Sequence, residues 1–199
     1  MLESLLKRSL LLFFCSSLAM AEIPAGNYTT MKKSQDCRSF MDPIFQSVMS
    51  VHANLNYTGT SLTLDYFVRD SICDFGRVKI NYTAEVQLGR QLANGSYELD
   101  LNWGEIKGYI WPAVVEYFNT TGRCQKTDWE RKQALNGIAC GRDQFPHPLT
   151  SQYTTIHYNP DSGELRIGDL LGTNWFRCST PEERCTELDE LVFYRVGSR

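Results

Sequence analysis

No block of lysine or arginine runs through this 199-residue sequence. Binding of a nucleic acid needs a dense basic footprint, and a formal net charge of -3 supplies none. Cys-x-x-Cys pairs and Cys/His clusters are also missing, which removes the usual frame for a zinc site. Gly-x-Ser-x-Gly, a phosphate loop and a dinucleotide fingerprint are absent too. Only three histidines occur, His52, His147 and His157, and none has an acid, base or nucleophile close in sequence that would form a catalytic pair. The reading is therefore non-catalytic, with no cofactor and no metal.

One apolar run stands at the start. Lys7 and Arg8 precede LLLFF, and Ala19-Met20-Ala21 follows, the order of a secretory signal peptide. The run is shorter than the ~20 apolar residues of a spanning helix. The expectation is a signal peptide over 1–21, one domain over 22–199, and no transmembrane anchor. Export places the protein in a secreted or extracytoplasmic setting, periplasmic if the source is bacterial. Cys15 leaves with the leader. Six cysteines remain: Cys37, Cys73, Cys124, Cys140, Cys178 and Cys185. An even number in an exported chain reads as a disulfide framework. Closeness in the chain favours Cys124–Cys140 and Cys178–Cys185, leaving Cys37–Cys73, though the sequence alone leaves other pairings open. Asn27, Asn56, Asn81, Asn94 and Asn119 each head an Asn-x-Ser/Thr triplet, the acceptor pattern of a glycoprotein.

The body of the chain alternates. Residues 61–68 set Leu62, Leu64, Tyr66 and Val68 on one face. Residues 77–88 do the same with Val78, Ile80, Tyr82, Ala84, Val86 and Leu88, and 96–103 with Tyr97, Leu99, Leu101 and Trp103. Asn94-Gly95 is a hairpin signal between the last two. Shorter strands are expected at 27–30, 152–158, 164–169 and 191–196, with a turn at Ser162-Gly163 and a continuation of the sheet over 104–111. Two helices are expected. One covers 112–119, opened by Pro112, with Ala113, Val114, Tyr117 and Phe118 on one face and Gly122 as its stop. The other covers 42–53, with Ile44, Phe45, Val48 and Met49. About seven or eight strands in succession must protect their edges, and closure into an antiparallel barrel does so. The fold class is mainly β, a barrel of about eight strands with one or two short helices. In the long connection from Gly122 to Cys140, Trp129 reads as a packing anchor.

A barrel of ~8 strands holds side chains or one small ligand. Tyr66, Ile80, Tyr82, Leu99, Leu101 and Trp103 are the candidate ligand-binding residues, apolar with a few polar handles. A solid core built from the same residues is the competing reading. A further reading is an extracellular protein-interaction module that uses the disulfide-tied loop and tail.

The order FVRDSIC, AVVEYFNTTGRCQKTDW, GIAC and PHPLTSQYTTIHY resembles the domain of the "adenomatosis polyposis coli down-regulated" protein family. Asp70 and Cys73, Asn119, Cys124, Trp129, Cys140, Pro146-His147 and Tyr153 match its motifs, and Tyr28 and Cys37-Arg38 are similar to its opening. The resemblance covers about residues 26–170. It implies a lipocalin-like barrel, a cavity for an acyl chain or other apolar or lipid-like small molecule, and a link to extracellular Wnt inhibition. This chain departs from the pattern in having one copy, no C-terminal anchor and an unmatched tail over 170–185.

Overall fold

A computed structural model describes residues 23–31, 38–42, 47–70, 76–135, 151–170, 178–188 and 191–197. The signal peptide reading, and those on Cys37, Cys73, Cys140 and Pro146-His147, lie outside these residues.

Among the described residues, ten strands form one antiparallel sheet: β1 (Gly26–Thr29), β2 (Arg38–Asp42), β3 (Ser47–Tyr57), β4 (Ser61–Asp70), β5 (Gly76–Gln91), β6 (Tyr97–Ile110), β7 (Lys132–Ala134), β8 (Ser151–Asn159), β9 (Glu164–Ile167) and β10 (Phe193–Arg195). Eight of them close a ring in the order β1-β3-β4-β5-β6-β8-β9-β10 and back to β1. The ring strands pair in chain order, with β2 and β7 left outside the ring, so the fold is an up-and-down barrel. Closure rests on β1, which pairs with β3 through Tyr28↔Leu55 and with β10 through Tyr28↔Arg195.

The long strands overrun the ring. The ring uses β1 against the second half of β3, while β2 pairs with its first half, Arg38↔Val51 to Asp42↔Ser47. Likewise β8 pairs with the first half of β6 and β7 with its last turn of residues, Lys107↔Ala134 to Tyr109↔Lys132. One end of the barrel therefore continues as a flare, made of β2, β3, β4, β5, β6 and β7.

The expected alternation holds in β4, β5 and the first half of β6, where Leu62, Leu64, Val68, Val78, Ile80, Tyr82, Ala84, Tyr97, Leu99, Leu101 and Trp103 are all buried. The Asn94-Gly95 turn is present, with Gly95 at φ 82. Past Trp103 the phase changes. Tyr82 faces Ile106 while Ala84 faces Trp103, so β6 carries one extra residue at Gly104-Glu105. This bulge moves Ile106 and Ile110 onto the inner face.

The helix expected over 42–53 is not formed at its described residues, and 43–46 lie outside them. Residues 47–57 are strand β3, and Asp42 ends β2. The helical spacing of Val48 and Met49 was outweighed by the two-residue period of Val51, Ala53, Leu55 and Tyr57, all buried. Branched Val48 and Val51 also suit a strand. The helix expected at 112–119 is α1 (Pro112–Thr121), with Gly122 in the left-handed conformation at its C-terminus, φ 62 and ψ 39. Its buried stripe is Val114 and Phe118, whereas Ala113 and Tyr117 are exposed. The connection after it is not all loop, since 132–134 joins the sheet as β7.

Trp129 is buried as expected. Its ring meets Phe118 edge-on at 5.2 Å, and its indole N–H donates to the Arg123 carbonyl at 3.0 Å. Cys124 is disulfide-bonded, with φ 59.

The tail guards the edge that β9 leaves uncovered on β8. Tyr153 N–H donates to Cys178 O at 2.8 Å, and Cys185 N–H donates to Tyr153 O at 3.1 Å. Cys178 and Cys185 stand at disulfide-bonding distance, with Cα atoms 5.3 Å apart. Arg184 fastens this loop to the wall. Its Nη1 donates to Leu99 O and Thr154 O and lies 2.7 Å from the Asp100 carboxylate.

Candidate ligand site

All six candidate residues face the inside of the barrel. Four rows of cross-strand neighbours line β3, β4, β5 and β6 there. They run Tyr57–Leu62–Ala84–Trp103, Leu55–Leu64–Tyr82–Ile106, Ala53–Tyr66–Ile80–Gly108 and Val51–Val68–Val78–Ile110. The rows place Tyr66, Ile80 and Tyr82 side by side, and Trp103 one row below Tyr82. Leu99 and Leu101 lie on the other flank, opposite Thr154 and Gln152 of β8.

The inside is not uniform. Within the ring, Leu62, Leu64, Leu99, Leu101, Ile156 and Leu165 have 0% exposure. Tyr28, Leu55, Tyr57 and Phe193 are equally shut away, so the ring is filled by its own side chains. Leu99 and Leu101 therefore belong to a solid core, as the competing reading of the sequence had it. In the flare, Val51, Val68, Val78 and Ile80 keep 6–8% exposure, and Tyr66 is only partly buried. An apolar surface therefore continues past the plug, nearly all of it buried, with Tyr66 its more accessible member. Gly108 belongs to this region, since a side chain there would run into Leu135 at 3.2 Å. Leu135 takes up that space and adds a buried apolar wall from the segment after β7.

Polar groups lie where plug and flare meet. Trp103 Nε1–H donates to Gln152 Oε1 at 3.0 Å, and Gln152 Nε2 donates to Asp169 O at 3.0 Å. Thr154 Oγ1 donates to Gly168 O. These bonds satisfy the polar atoms that the plug buries. The Tyr82 ring meets Trp103 edge-on at 5.8 Å. Burial holds the Tyr82 phenol well above its ordinary value, and nearby Tyr66 adds to the effect. Tyr28 is pushed up to about 12, mostly by burial. Both phenols stay neutral and able to donate a hydrogen bond at physiological pH.

The sequence reading missed Val51, Gly108, Ile110 and Leu135 as wall residues. Val51 lay inside the misassigned helix, and Ile110 followed the bulge. Val68 and Val78 carried the signal, since both continue the alternation of their strands. Gln152 gave none, because a polar residue on an inner face looks like an outward one.

No helix among the described residues is long and apolar enough to cross a membrane. No protein-family model and no curated protein matches the chain.

Proposed function

We propose that this protein is an exported, non-catalytic barrel that takes an apolar or acyl-chain-bearing small molecule in its flared end. One observation carries the reading: the ring is plugged, while the apolar wall of Val51, Val68, Val78 and Ile80 continues beyond the plug, with Tyr66 beside it only partly buried. An acyl chain lodged along that wall removes its own surface from water, at about 25 cal/mol per Å² buried. Tyr66, only partly buried, lies in the row of Ile80 and supplies a phenol group for a polar end. The similarity of motifs to the family named above supports the same class of ligand. A cysteine pair at bonding distance in the tail is compatible with an extracytoplasmic setting.

The test is to strip lipid from the purified protein, add fatty acids of graded length and record the native mass. One bound chain per protein supports the proposal, and Ile80→Trp, which fills the flare, abolishes that species. A barrel that stays empty at every chain length refutes it.

A further inference from the structure

We infer that the outer face of the flare docks on an anionic lipid surface. This does not depend on what the inside of the barrel holds. The strand register sets one row across five strands on that face: His52, Phe67, Lys79, Tyr109 and Lys132. The Lys79 ammonium stands 5.4 Å from the Phe67 ring centre and 5.5 Å from that of Tyr109. Trp111 follows at the end of β6 and is 59% exposed, with Tyr109 at 37%. Trp111 N–H donates to the carbonyl of exposed Arg77. Tyr109 and Trp111 are thus left in water beside cations.

The charge balance of the patch is positive. Arg69, Arg77, Lys79, Lys107 and Lys132 stand against Asp65, Glu105 and Glu130. The tail has the reverse sign, with Glu182, Glu183 and Glu187 against Arg184. The local excess of cations at this end turns it toward an anionic partner. Amphipathic Trp and Tyr rings beside Lys and Arg are the side chains that settle at the headgroup level of a bilayer. A polyanion in solution would call for a denser basic footprint.

The test uses the purified protein and sedimented vesicles of phosphatidylcholine, with and without phosphatidylserine. Binding is expected to the anionic vesicles and not to the neutral ones, with release at high salt. Lys132→Gln is expected to weaken it about fivefold, the effect of one cation near such a surface. Trp111→Ala is expected to weaken it further without changing the circular dichroism. Uptake of a fatty acid from solution is expected to be the same in both variants, which separates this inference from the ligand proposal. Absence of vesicle binding, equal binding to neutral vesicles, retention on heparin alone, or full binding by both variants would overturn it.

Discussion

The side-chain amide of Asn119 holds the backbone of Trp129 from both sides. Its Oδ1 accepts from Trp129 N–H at 2.6 Å, and its Nδ2 donates to Trp129 O at 3.2 Å. Asn119 sits near the end of α1, so this grip fixes the helix end to the return segment that leads into β7. Asn119→Ala leaves both backbone groups without that partner, at an expected loss of about 2–3 kcal/mol. Asn119→Asp keeps the acceptor and is expected to lose less. Trp129→Ala removes the buried ring and is expected to cost about 3–5 kcal/mol. Urea unfolding of the three variants checks the order.

That pair also shows what a sequence can give. Trp129 reads as an anchor because a lone large aromatic in a polar connection has few other uses. The identity of its partner depends on a helix end folding back across ten residues, which no local pattern states. The hairpins of β4, β5 and β6 were legible because one inner face makes a strict two-residue period. The same logic failed for β3. Its apolar residues Val48, Met49, Val51, Ala53, Leu55 and Tyr57 change period midway. The short strands β2 and β7 carry no period at all, since their place is set by the long partners they extend. For the site, the six named residues did converge on the interior. The division between plug and flare was hidden, because it depends on where β1, β8 and β10 stop rather than on any residue in β5 or β6.

The tail loop is expected to be a separable stabilising element. Replacing Cys178 and Cys185 together by serine opens a short loop and is expected to cost about 2–3 kcal/mol on the chain-entropy model. Gly168→Ala should act on the same contact. A methyl group there would stand 2.7 Å from Thr154 Oγ1 and 2.8 Å from Glu187 O, so the tail must shift. Its expected cost is about 1–3 kcal/mol. Thermal unfolding of the variants, singly and combined, is expected to show less than additive losses, because both loosen one junction.

His52 makes stability depend on pH. It is 4% exposed, stacks on Phe67 at 4.3 Å, and its Nδ1 has no hydrogen-bond partner among the described residues. Burial, with a smaller effect from Arg69, lowers its pKa to about 4. The unfolded chain takes up this proton near pH 6.5 and the folded chain only near 4, so acid favours unfolding. Stability is full above pH 6.5 and falls by roughly 3 kcal/mol on the way to pH 4. His52→Phe keeps the ring stack and removes the proton. Unfolding in urea across this range is expected to show a flatter profile for the variant between pH 6.5 and 4.

The division between plug and flare is tested most directly by nuclear Overhauser contacts from an isotope-labelled fatty acid to the methyl groups of the barrel. The account predicts contacts to Val51, Val68, Val78 and Ile80 and none to Leu62, Leu64, Leu99 or Leu101. Contacts confined to the second group, or none at saturating fatty acid, would contradict it.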